Sequence, residues 1–202
     1  MKSTSQALIE ELIELTKDNM NEVEFFLTQP DLSLNYKSKQ KAWSALECIA
    51  HLNLYSDFYI PEIEGRIKSK VRNTKENHNN GHFESNWLGE YFAKALRPLN
   101  QTGDSGTKMK TLPSANTLGS AWNKATLEKF IRQQKQMLNL LDQARNIDLV
   151  KTKTSISITK LIKLRLGDTF RVVIYHNQRH IQQALRAIKA AESVSEGKLQ
   201  NI

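Results

Sequence analysis

From Val173 to Ala191 the chain sets a residue on one helical face every three or four positions: Val173, His176, His180, Ala184, Ala187 and Ala191. That spacing marks a buried helical seam, because a strand would repeat every two residues and a loop would not repeat at all. Two members of the seam are histidines. Four residues advance an α-helix by about 400°, so the two imidazoles lie one turn apart on the same side. The chain must therefore fold so that a helix packs with two titratable rings facing inward, above small alanines. Buried rings of this kind need polar partners, and a metal ion is the simplest partner that both can share.

Three more stretches carry a helical period. The first spans roughly residues 4–28, with Ser3, Thr4 and Ser5 available as N-cap and Leu8, Leu12, Leu15, Val23, Phe26 and Leu27 as its inner stripe. Pro30-Asp31 stops it. The second runs from about residue 41 into 68–72, with Pro61 as a kink point. The third covers roughly 121–144, with Leu127, Ile131, Gln134, Leu138 and Leu141 in its seam. The histidine helix then begins near Gly167-Asp168, with Asp168 as N-cap, and ends near Glu192.

The connections are less regular. Residues 73–85 are rich in Asn, Lys and Gly and read as a loop. Asn86 can cap a short helix carrying Trp87, Leu88, Tyr91, Phe92 and Leu96 before Pro98. Residues 98–120 show no period. Ser155-Ile156-Ser157-Ile158-Thr159 alternates like a strand, but without a second strand it predicts no sheet, and Thr159 reads as the cap of a short helix through Leu164. Four amphipathic helices predict an all-α four-helix bundle, with a long crossover connection between the second and third. The expected organisation is one domain over 1–193 and a polar tail over 194–202.

A metal site of the zinc type takes three or four protein ligands, so two histidines are not enough. His51 lies in an apolar helical stretch, and Leu54, Tyr55 and Phe58 follow it at three, four and seven residues, which places it on an inward or boundary stripe. His78 and His82 repeat the four-residue spacing, but they flank Asn79-Asn80-Gly81, a turn signal that removes the helix, so this pair reads as a solvated loop. Cys48, three residues before His51, offers a thiolate, although a lone cysteine in an apolar stretch is usually a small buried hydrophobe.

Trp43 with His51 eight residues later, then Leu166-Gly167-Asp168, His176, His180, Ile181 and Gln183, form an ordered set of short motifs. Together they resemble the DinB/YfiT-like family of metal-binding four-helix bundles, over most of the chain to about residue 190. The resemblance implies a three-histidine site for a divalent metal, zinc or nickel, with His51 from the second helix and His176 and His180 from the fourth. It also implies thiol-dependent S-transferases among the relatives, and hence a low-molecular-weight thiol as cosubstrate. Residues 74–120 match none of these motifs.

Composition narrows the setting. The 202 residues, 39% of them hydrophobic and 25% charged, suffice for one well-buried core. A single cysteine allows no internal disulfide. The first six residues lack the apolar stretch of a signal peptide, and no apolar run is long enough to cross a membrane, so the cytoplasm is the expected location. Lys and Arg total 29 against 21 Asp and Glu, a net charge of +8. The excess is spread in small clusters such as Lys37-Ser38-Lys39-Gln40-Lys41, so it reads as a solvated face and nucleic acid is not an expected partner. A small-molecule substrate, attracted if it is anionic, is the expected partner, with a homodimer as an admissible assembly.

Three readings of the site follow. The leading one is a metal-dependent transferase that activates a thiol; the next is a hydrolase using metal-bound hydroxide; the third is a non-catalytic, metal-stabilised binding or stress-response module. A general base would favour hydrolysis, and Glu47, one turn before His51, is the candidate, with Asp57 farther along the helix. Gln183, three residues after His180, is placed to orient a ligand or substrate.

Overall fold

The computed structural model describes residues 1–72, 81–98, 111 and 113–199. In chain order they form β1 (Lys2–Thr4), α1 (Ser5–Leu27), α2 (Asp31–Asn35), α3 (Ala45–Arg72), β2 (His82–Glu84) and α4 (Trp87–Leu96). There follow α5 (Ala125–Gln143), β3 (Lys153–Ile156), β4 (Thr159–Arg165) and α6 (Leu166–Leu199), with single 3-10 turns at Pro113–Ala115 and Ala144–Asn146. The fold is an all-α bundle. Its long helices are α1, α3, α5 and α6, and α1 and α3 each pack on both α5 and α6. His78 lies outside the described residues.

Local chemistry sets the helix starts. Thr4 Oγ1 accepts from Ala7 N at 3.0 Å and begins α1, and Asn86 Oδ1 accepts from Gly89 N at 2.7 Å and begins α4. Ser44 and Glu47 form a reciprocal capping box before α3: Ser44 N donates to Glu47 Oε2 at 2.9 Å, and Glu47 N donates to Ser44 Oγ at 3.2 Å. Such a cap contributes about 1 kcal/mol.

The start of α6 differs from the expectation. Asp168 is not the N-cap; the helix begins at Leu166. Leu166 N and Gly167 N donate to the carbonyls of Thr152 and Leu149, so the preceding loop satisfies the first orphan amides and no side-chain cap is needed. Asp168 is instead buried in the first turn. The helix also continues past Glu192 to Leu199.

The short helix expected over Thr159–Leu164 is a strand. β3 and β4 pair antiparallel, with Lys153 opposite Arg165, Thr154 opposite Leu164 and Ser155 opposite Lys163. The missing second strand was the very segment read as helical. A two-stranded hairpin is marginal alone, but here the bundle supports it: Ile156 and Leu164 are buried, and Ser155 N donates to Glu62 Oε1 of α3 at 2.8 Å. The loop expected over 73–85 likewise ends in a strand, for Lys2–Thr4 pairs with His82–Glu84. His82 is exposed there, in a strand and opposite Thr4.

The core has two apolar clusters. One gathers Leu8, Tyr59, Ile63, Phe83, Met137, Phe170 and Ile174; the other gathers Phe26, Leu46, Ile49, Leu52, Phe130, Ile181 and Ile188. Along α3 and α6 the change from one cluster to the other occurs where His51, His176 and His180 stand. Buried amides fix the helix register beside them. Asn53 donates to Thr126 O at 2.9 Å, and Asn177 donates to Gln134 Oε1 at 3.1 Å.

Candidate metal centre

The three histidines come together. His51 arrives from the second turn of α3, His176 and His180 from successive turns of α6, and each offers one ring nitrogen within 4.8 Å of the others. Ring centroids are 4.6 Å apart for His176 and His180, 4.7 Å for His51 and His180, and 5.1 Å for His51 and His176. Trp43 covers the cluster on one side, 4.8 Å from the His51 ring, and Tyr55 flanks it on another, 4.7 Å from the His176 ring. Trp43 thus packs on the site itself, ahead of its helix.

Two of the imidazoles are oriented by acceptors behind them. His51 Nδ1 donates to the carbonyl of Ala115 at 2.7 Å, and His180 Nδ1 donates to Gln183 Oε1 at 2.9 Å. Each of these rings then carries its hydrogen on Nδ1 and presents the Nε2 lone pair inward. His51 Nε2 and His176 Nε2 face each other at 3.3 Å. Three ring nitrogens within 4.8 Å of one another, with the outer nitrogens of two rings held in place, could hold a metal ion. The donor set of His51, His176 and His180 would suit a divalent ion.

The electrostatics agree with that role. Burial drives the His176 imidazole well below its ordinary 6.5, and the charges of His180 and His51 push it further. Burial, then His51, brings His180 down to about 3. His51 is lowered by burial, opposed by its bond to Ala115. Each ring is therefore neutral near pH 7, the state in which an imidazole can bind a metal.

Residues 5–184 match the family model of the DinB superfamily. The chain belongs to the DinB superfamily. Comparison with curated proteins and with solved structures finds no match. Among the described residues, no helix is long and apolar enough to cross a membrane.

The other candidates on this DinB-superfamily bundle lie elsewhere. Glu47 is committed to structure: besides the capping box, its Oε1 meets Lys37 Nζ at 2.6 Å and accepts from Gly119 N at 2.6 Å. Asp57 points to α5, where it meets Lys129 Nζ at 2.8 Å and Gln133 Nε2 at 2.8 Å. Cys48 is fully buried among apolar side chains, its thiol pushed up by burial and by Glu47, and it is not part of the histidine cluster. Gln183 does orient a group, and that group is His180.

Sequence reasoning missed three features. The Ala115 carbonyl belongs to a segment without period, and a backbone acceptor leaves no mark on the sequence. The β3–β4 hairpin forms one wall of a cavity of about 130 Å³ that reaches the histidines. Tyr55 and Tyr59 also line it, and their spacing of four and eight residues from His51 was the signal that could have found them.

Proposed function

We propose that the chain is a metal-dependent S-transferase, with zinc or nickel held by His51, His176 and His180 and a low-molecular-weight thiol as cosubstrate. The observation that carries this reading is the convergence of three ring nitrogens within 4.8 Å, two of the rings locked from behind, at the end of a cavity. Three neutral imidazoles would leave room on such a metal for a thiol or water, whose pKa the ion would lower.

The chain's own residues supply orientation and enclosure. Ala115 and Gln183 fix the tautomer and tilt of two rings, while Trp43 and Tyr55 shield the cluster. Arg179 lines the cavity and adds positive charge for an anionic group. A hydrolase of this type needs a base for water, and Glu47, the acid best placed in sequence, is already bonded to Ser44, Lys37 and Gly119. A thiol is intrinsically far more acidic than water, so on such a metal it would release its proton to solvent without a dedicated base, which favours transfer. The open cavity supports catalysis over a purely structural metal.

The test is conjugation of 2-mercaptoethanol to chlorodinitrobenzene by zinc- or nickel-loaded protein, in which the sulfur replaces chloride on the ring and a proton is released. Conjugation should depend on the metal and fall at least tenfold on His176→Ala. Equal rates with and without metal would overturn the reading, and thiol-independent ester cleavage would replace it with the hydrolase.

A further inference from the structure

His51, Tyr55 and Tyr59 form a stripe along one face of α3, and all three line the cavity. The two tyrosine rings are stacked, 6.5 Å apart with their planes at 18°. Their hydroxyls differ. Tyr59 Oη is engaged by the hairpin, accepting from Ser157 N at 3.2 Å and lying 3.4 Å from Ser157 Oγ. The Tyr55 hydroxyl has no hydrogen bond to any described residue, yet its ring is fixed 4.8 Å from His51 and 4.7 Å from His176. It is a donor beside the histidines, waiting on a partner that the bundle does not supply.

Much of the wall around it is apolar, from Phe92 and Leu96 of α4, Ile156 and Leu164 of the hairpin and Val172 and Val173 of α6, with Thr111, Ser157 and Arg179 as further polar lining. Tyr55 is only partly buried, so its hydroxyl is open to a ligand that enters the cavity. The volume of about 130 Å³ is close to that of an apolar protein cavity, about 150 Å³, that binds benzene. We propose that this cavity binds a small ligand with an apolar, ring-sized body and one hydrogen-bond acceptor, and that the Tyr55 hydroxyl donates to that acceptor. The ligand is then held at two points: its body lies against α4 and the hairpin, and its acceptor is turned toward the histidines. This deepens the metal-dependent reading above and rests on it for the placing of the acceptor. Tyr55 thereby favours a carbonyl or carboxylate over a plain hydrocarbon, with the charge of Arg179 adding to the preference for a carboxylate.

The experiment measures calorimetric binding of benzoate and of acetate to zinc-loaded protein, wild type, Tyr55→Phe and Tyr59→Phe, with zinc content determined in the same samples. Benzoate supplies body and acceptor; acetate supplies the acceptor alone. Wild type should bind benzoate at least tenfold tighter than acetate, and Tyr55→Phe should lose about tenfold for benzoate at unchanged zinc content. Tyr59→Phe, which loosens the hairpin wall, should lower the unfolding temperature and weaken benzoate binding less than Tyr55→Phe does. Equal benzoate affinity in wild type and Tyr55→Phe, or equal affinity for benzoate and acetate, would overturn the proposal. If the protein takes up no zinc but benzoate still binds in a Tyr55-dependent way, the metal reading falls and the cavity assignment stands. If neither zinc nor benzoate binds, both fall.

Discussion

Two polar clusters are buried along α6, and they meet the demands of burial differently. Near the start of the helix, Arg171 Nη1 lies 2.9 Å from Glu90 Oε2 and 3.2 Å from Asp168 Oδ1, with Ser85 bridging to the same carboxylate. Opposite charges answer one another. Burial alone would raise Glu90, but the hydrogen bond and charge of Arg171 bring it down to about 2. Two turns on, the histidine cluster has three groups of the same kind and no counter-charge among them, so burial leaves them neutral. The first cluster finds its counter-charges within the chain, although Asp168 Oδ2 and Arg171 Nε have no hydrogen-bond partner there. The second brings together three neutral nitrogen donors that could hold a cation, which is why the first reads as structure and the second as a candidate site.

That contrast can be broken from either side. The largest effect is expected from Arg171→Ala, which strands Asp168 in the interior; chemical denaturation should show a loss of about 3–5 kcal/mol, with zinc affinity little changed. Gln183→Ala should do the reverse. It removes the acceptor behind His180 and should weaken zinc binding about tenfold to a hundredfold, measured by competition with a chelating dye, while the unfolding temperature of the metal-free protein barely moves. Gly89→Ala tests how tightly α4 is docked, because a Cβ there would overlap the Asp168 carboxyl group. A loss of about 1–3 kcal/mol is expected, again without effect on the metal.

The smallest effect separates the clusters by pH. In chelator-stripped protein His180 titrates at about 3 when folded against an ordinary 6.5, so its contribution is full above 6.5 and is lost as pH falls below that value. At pH 5.5 the unfolded chain binds the proton and the folded one does not, which costs about 1 kcal/mol. Glu90, at about 2 against 4.5, keeps its contribution until pH falls below 4.5. Unfolding free energy measured against pH should therefore decline in two stages. His180→Ala should remove part of the upper stage alone; a single decline below pH 4.5 in the wild type would contradict the account.

Much of this was legible in the sequence because helices write their seams as a period. The spacing through His176 and His180 gave their inward direction, and the stripe through Leu54, Tyr55 and Phe58 put His51 on the same kind of face. The hairpin was misread because Lys160-Leu161-Ile162-Lys163-Leu164 carries no turn signal before it and only two residues separate its strands. Its strands persist because Ile156 and Leu164 reach the bundle, a tertiary contact that no local pattern records. Glu47 misled for the opposite reason. Its distance from His51 suggested a shared face, but Ser44, three residues earlier, makes it the second half of a capping box. The Ala115 carbonyl behind His51 was beyond reach, since any residue could supply it.

The central claim is that His51, His176 and His180 hold one metal ion. Calorimetric titration of chelator-stripped protein with zinc near pH 7 tests it most directly. The account predicts one ion per chain in the wild type and loss of stoichiometric binding in each of His51→Ala, His176→Ala and His180→Ala. A wild type that takes up no stoichiometric zinc or nickel, or alanine variants that bind as the wild type does, would contradict it.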